Sequence, residues 1–271
     1  MVYQFKRREE TEGCACLECR NVATGTTRRR LGDILLWAVG FLRTHPSVVA
    51  VFLLLAGAQF VGHLAPMAVE LAMLPVIFVG GMFARGYTAM LAADSLSNET
   101  HTRGAVAKYT LRRLPAVFAI FALSGLVTIG LMMGIVALAL FVLIVDTGWY
   151  VVLGISALLA TFVLMIVVLV KFVLAAEAAV IGGYGPIASL RVSWGIISFR
   201  RRTTIVLIGL VVGLLFGVVV SQLSIATAPY PIIGNETVRD IAFGLSNATF
   251  FLSSAVTTLV FAHVYVRGVL E

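Results

Sequence analysis

Long stretches of apolar side chains, separated by short clusters of basic residues, set the organisation of this 271-residue chain. Six runs reach the roughly 20 helical residues needed to cross a hydrocarbon core of about 30 Å: 47–64, 69–93, 115–144, 149–176, 203–225 and 240–266. Such unbroken runs predict helices, because the strands of a transmembrane barrel would be about ten residues long with alternating polarity. The third and fourth runs exceed a straight crossing, which predicts tilt or projection beyond the core. Pro75 predicts a kink in the second, since proline removes a backbone donor and crowds the preceding turn.

Each basic cluster also has helical periodicity and leads directly into a span. Leu31, Ile34, Leu35, Ala38 and Leu42 fall on one face before the first span. Ala107, Thr110, Leu111 and Leu114 do so before the third, opposite Lys108 and Arg112, and Ile187, Leu190, Trp194 and Ile197 do so before the fifth, beside Arg191. The second helix of each hairpin carries one basic residue late in its run: Arg85, Lys171 and His263. The predicted fold is therefore an all-α polytopic membrane bundle of six transmembrane helices. It is built as three repeats, roughly 31–98, 99–183 and 184–271, each an interfacial amphipathic helix followed by a transmembrane hairpin. Residues 1–30, polar and without an apolar period, are expected to form a disordered basic cytoplasmic arm.

Composition agrees with the pattern. The chain is 60% hydrophobic and 12% charged, with a mean hydropathy of +1.03, far from the roughly 45–50% and 25% of soluble domains. This excludes a soluble enzyme fold for most of its length. No secretory signal peptide precedes the first span, so the chain is expected to stay intact. The arm and the second and fourth connections are rich in arginine, whereas the first, third and fifth hold only Arg239. By the positive-inside rule both termini are cytoplasmic, in a plasma membrane. The net charge of +7 then serves topology and attraction to anionic lipids, without a nucleic-acid partner. Only three of the 20 basic residues are lysines, as in GC-rich prokaryotic genomes.

The segment from Ala175 through Glu177, Gly185 and Pro186 to Leu190, Ser193 and Trp194 has a recognisable order: a span ending near a glutamate, a Gly/Pro turn, then an amphipathic helix with a Leu-x-x-Ser-Trp core. It resembles uncharacterised six-helix membrane proteins related to the membrane region of some glycerophosphodiester phosphodiesterases. Ser189 stands where those proteins have alanine, and no glycine directly follows Glu177. The resemblance implies an architecture without the phosphodiesterase activity, for which a separate soluble domain would be required.

Several groups could carry chemistry. Cys14, Cys16 and Cys19 lie in the reducing cytoplasmic arm, as either ordinary or lipid-modified thiols or ligands of a zinc ion. A closed zinc site would need a fourth ligand, from a second copy or from His101. Arg85 is about 12 Å from the end of its span at 1.5 Å per residue, too deep for easy snorkelling, so it needs a partner. Asp94 and Glu177 lie close to the cytoplasmic ends of the helices that carry Arg85 and Lys171, where a structural ion pair or a helix-end anchor is the plainer reading. Arg85, Lys171 and His263 could face a common site for an acidic group, either Glu177 or a lipid phosphate, or could each reach the interface separately. Gln59, Glu70, Gln222 and Asn247 could line a cavity, but interhelical hydrogen bonds are their commoner use. Gly209, Gly213 and Gly217, with Gly130 and Gly134, predict close helix packing. Asn235 heads a glycosylation sequon in the longest external loop.

Nucleophile-elbow, P-loop, zinc-protease and dinucleotide signatures are absent from the sequence, which favours a non-enzymatic protein. The expected role is lipid interaction or scaffolding in the cell envelope, with anionic lipids, a homo-oligomer or another membrane protein as partners. A transporter or permease subunit and a cysteine-based redox or metal sensor are the alternatives.

Overall fold

The fold is given by a computed structural model that describes residues 5–6, 22, 30–97, 101–144, 148–198 and 235–270. Every regular element among them is a helix: α1 Leu31–Thr44, α2 Pro46–Leu64, α3 Met67–Leu96, α4 Arg103–Ile144, α5 Gly148–Phe172, α6 Ala175–Val180, α7 Pro186–Ile196 and α8 Glu236–Leu270. Five stretches are long and apolar enough to cross a membrane: α2, α3, α4, α5 continued through α6, and Asp240–Leu270 within α8. The chain is a membrane protein by that measure. The run 203–225, with Gly209, Gly213, Gly217 and Gln222, lies outside the described residues.

Local chemistry explains the breaks. The backbone N–H of Arg30 donates to Asp33 Oδ2 at 3.2 Å, closing the first turn of α1. That helix ends at His45, whose non-helical backbone is favoured by the following Pro46, and Pro46 then starts α2. Pro115 does not act in the same way. Leu114 before it remains helical, so the amphipathic stretch expected to precede the third span runs into it as one 42-residue helix. At 1.5 Å per residue α4 is about 63 Å long, roughly twice the hydrocarbon thickness. The fourth run is interrupted instead, by a turn at Val173 and Leu174 that separates α5 from α6.

Helix α3 lies at the centre, with α2 and α8 on one side and α4 on the other, while α4 and α5 form an antiparallel hairpin. The short α6 is wholly buried where α3, α4, α7 and α8 meet. The chain's alternation brings the ends of α3, α5 and α8 together with α6, α7 and the start of α4, and this basic end holds most of the core. Small residues allow the close approach. A Cβ on Gly86 would lie 2.8 Å from Thr110 Cγ2, and one on Gly182 would lie 2.2 Å from the hydroxyl of Tyr265. By contrast, among the described residues nothing lies within 4 Å of a Cβ built on Gly130, and one on Gly134 would meet only Thr161 Cγ2 at 3.9 Å. Among the described residues the glycine pair of the third span therefore has no close neighbour of the kind that Gly86 and Gly182 have.

Two amphipathic helices bury residues that lie outside their apolar stripes. In α1 the buried set is Ile34, Ala38 and Phe41, and Leu35 is exposed. In α7 the residues turned inward are Ser189, Val192 and Ser193, while the apolar Ile187 and Trp194 point outward. Within the arm expected to be disordered, Phe5 is fixed: its N–H donates to Ile181 O at 3.2 Å, and the Tyr265 hydroxyl donates to Phe5 O at 2.8 Å. Phe5 and Val22 are both buried in the main core.

Candidate functional site

Arg85 lies in the second half of α3, among residues buried on nearly every side. Its guanidinium faces Glu177 of α6. Nε donates to Glu177 Oε1 at 2.9 Å, and Nη2 donates to Oε2 at 3.0 Å and to the carbonyl of Val173 at 3.0 Å. This two-point geometry is the strong form of an arginine–carboxylate contact. Val173 can take part because it stands in the turn between α5 and α6. The guanidinium carbon also lies 5.9 Å from the Phe121 ring centre and 5.5 Å from that of Phe261, within the range of cation–π attraction. Four elements thus hold one charge, and Gly86 lets α3 come close enough for it.

The two partners differ in access. The Glu177 side chain is 0% exposed and that of Arg85 is 25% exposed. Nε and Nη2 spend three of the five guanidinium N–H groups, and Nη1 makes no hydrogen bond among the described residues. Arg85 lines a cleft of about 180 Å³ between α4 and α5, together with Ile120, Phe121, Ser124, Thr128 and Phe172. The hydroxyls there are engaged: Ser124 donates to Ile120 O at 2.8 Å and Thr128 to Ser124 O at 2.8 Å.

The other basic positions have their own surroundings. Lys171 Nζ donates to Trp194 O at 3.0 Å and also to Ile197 O, and lies 5.4 Å from the Trp194 ring centre. It therefore satisfies carbonyls at the end of α7, where a cation complements the helix dipole. Ser193 returns a bond to Lys171 O at 2.7 Å. His263 is buried, with its ring 5.6 Å from that of Trp37 in α1. Arg85 thus reaches Glu177, Lys171 reaches the carbonyls at the end of α7, and His263 packs near Trp37.

Asp94, at the end of α3, is bound differently again: its Oδ1 lies 3.0 Å from His101 Nδ1. Among the described residues no three metal-ligating side chains cluster, and Cys14, Cys16 and Cys19 lie outside them. Asn235 is exposed and caps α8, its Oδ1 accepting the N–H of Val238 at 3.3 Å. Asn247 Nδ2 donates to Ala56 O at 3.1 Å, an interhelical bond between α8 and α2, while Glu70 is exposed.

Sequence reasoning named Arg85 and Glu177 but missed Val173, Phe121 and Phe261. A helix interruption inside an apolar run has no sequence signal here, and the phenylalanines are two of 17.

A family model described as a domain of unknown function, DUF7847, matches residues 30–268. The match includes Arg85, Glu177, Lys171 and His263 and leaves the three cysteines outside. No curated protein and no solved structure matches the chain. The affiliation supported is with an uncharacterised family, and a likeness to the phosphodiesterase membrane region is not among the matches.

Proposed function

The chain belongs to the DUF7847 family, and from that premise we propose that it is a non-enzymatic membrane protein that contacts anionic lipid and organises the membrane around its basic end. In this reading six spans cross the plasma membrane in three hairpins, the run 203–225 supplies the remaining span, and both termini are cytoplasmic.

The observation that carries the proposal is the split character of α1. One face is buried through Ile34, Ala38 and Phe41, while Leu35, Leu36 and Val39 are exposed apolar residues, and Arg30 and Arg43 stand at the two ends. A helix docked on the core by one face, with free leucines on another and arginines at its limits, suits the headgroup boundary. Exposed Ile187 and Trp194 beside Arg191 give α7 the same character. Each arginine near an anionic surface contributes about 1 kcal/mol.

Lipid nanodiscs test this. With a mixture of phosphatidylglycerol and zwitterionic lipid, the protein should retain the anionic lipid preferentially after detergent extraction, and Arg30→Gln with Arg43→Gln should reduce that preference several-fold. Equal retention of both lipids, or saturable solute flux through reconstituted liposomes, would overturn the proposal. In a background with Cys14, Cys16 and Cys19 changed to serine, an impermeant thiol reagent added outside cells should label a cysteine at Asn235 and spare one at Arg201. The reverse pattern rejects the orientation.

A further inference from the structure

The guanidinium of Arg85 has an unusual remainder. Glu177 already neutralises its charge from the buried side, yet two N–H groups on Nη1 are uncommitted among the described residues, and the arginine lines a cleft whose other walls are mostly apolar. Arg85 is eleven residues from the last residue of α3, about 16 Å along the helix axis. Resting on the reading of α3 as a membrane span, that depth leaves little bulk water to satisfy the donors. An unmet donor in hydrocarbon costs several kcal/mol, so the cleft needs an acceptor.

The chemistry of the acceptor follows from what surrounds it. A second anion would give the buried group of three a net negative charge beside Glu177, which low-dielectric surroundings oppose. A neutral carbonyl oxygen accepts the same two N–H groups without that cost. The walls offer Ile120, Phe121 and Phe172, and the Ser124 and Thr128 hydroxyls are occupied as donors by their own helix. At about 180 Å³ the cleft is smaller than the roughly 300–1,000 Å³ that encloses a whole small-molecule ligand. It suits a carbonyl-bearing head whose apolar remainder extends between α4 and α5 into the bilayer.

We propose that the cleft floored by Arg85 binds the carbonyl group of a neutral, membrane-dissolved amphiphile, with Nη1 as its hydrogen-bond donor and Glu177 as the fixed counter-charge that excludes anionic heads. Two lipid classes carry such a group, acyl esters and isoprenoid quinones.

The test uses the full chain in detergent with four probes: a short monoacylglycerol, the matching alkyl glycerol ether, the matching fatty acid at pH 8, and a quinone with one isoprene unit. Binding is read by native mass spectrometry, and the probe's carbonyl stretch by infrared difference spectroscopy. The ester or the quinone should bind one per chain, on the order of tenfold tighter than the ether, as loss of a bond to a charged donor implies. Its carbonyl band should move to lower frequency, and whichever of the two binds identifies the class. Ser124→Leu, which fills the cleft without touching the ion pair, should abolish binding and leave the melting temperature within a few degrees. Arg85→Lys, keeping the charge but losing the fork, should weaken binding and reduce the band shift. Equal affinity for the ether removes the hydrogen bond, tighter binding of the fatty acid restores an anion site, and no saturable binding leaves water as the acceptor; each overturns the inference. None of these outcomes alters the nanodisc lipid preference assigned to α1, so the two readings fail separately.

Discussion

The two ends of the bundle are both apolar, yet they are built from different residues. At the basic end, α3 is buried continuously from Gly86 to Asp94, and all of α6, Ala-Ala-Glu-Ala-Ala-Val, is buried with it. At the far end, α4 presents Leu126, Met133, Leu143 and Ile144 on its surface, and α5 presents Trp149, Tyr150 and Leu153. The most apolar window of α4 has 0% of its residues buried, against 56% for the span in α8. Hydropathy alone therefore does not locate the core of this protein. In lipid, large side chains gain little by turning inward, because the hydrocarbon outside is as apolar as they are. Small residues let backbones approach, and polar groups that lipid cannot satisfy are gathered where helices meet. The ion pair of Arg85 and Glu177 lies in the small-residue region, as that argument requires.

Removing one member of the ion pair should produce the largest effect. Glu177→Gln leaves the Arg85 charge without its counter-ion, at a cost of about 3–5 kcal/mol. Thermal unfolding in detergent should show a drop of many degrees, and Arg85→Met combined with Glu177→Leu should recover much of it. If the single variant melts like the parent, the basic end is not held by this pair.

A smaller effect separates glycines in the two regions. Gly182→Ala forces the Tyr265 hydroxyl away from a site 2.2 Å from the new Cβ, and overpacking of this kind costs about 1–3 kcal/mol. It also disturbs the bond that holds Phe5. Gly130→Ala meets nothing within 4 Å among the described residues, and should be neutral or slightly stabilising through helix propensity. Equal destabilisation by both would erase the distinction between the ends.

The smallest effect is expected at Asn247, which joins α8 to α2 through Ala56 O. Interhelical hydrogen bonds in membranes average about 0.6 kcal/mol, so Asn247→Ala should lower the melting temperature by only a degree or two. A collapse of the fold would mean that α8 depends on this bond more than on the packing of Ala255, Leu259 and Ala262.

Much of the architecture was legible in the sequence because its signals are local. The apolar run 47–64 gave α2 to within one residue, since Pro46 fixes the start. The predicted run 69–93 lies within the observed Met67–Leu96. The errors arose where tertiary packing decides. Leu114-Pro115 reads as a boundary, yet α4 continues through it, whereas His45-Pro46 ends α1. The turn at Val173 interrupts a run whose one glycine, Gly154, lies far from the turn, and α7 turns Ser189 and Ser193 to the core while its apolar Ile187 and Trp194 stay outside. In the candidate site, depth required a partner for Arg85, and Glu177 fills that place. The Val173 carbonyl and the two flanking phenylalanines could not be read, because three elements distant in sequence bring them there.

The contrast between the ends is tested most directly by nitroxide labels in liposomes, with the three native cysteines changed to serine. A label at Leu126, 67% exposed on α4, and one at Leu153, 53% exposed on α5, should relax readily with dissolved oxygen and be protected from a water-soluble nickel complex. A label at Ala89, 1% exposed in α3, should be immobilised and shielded from both reagents. Strong nickel accessibility at Leu126 or Leu153 would place water where lipid is expected and contradict the account.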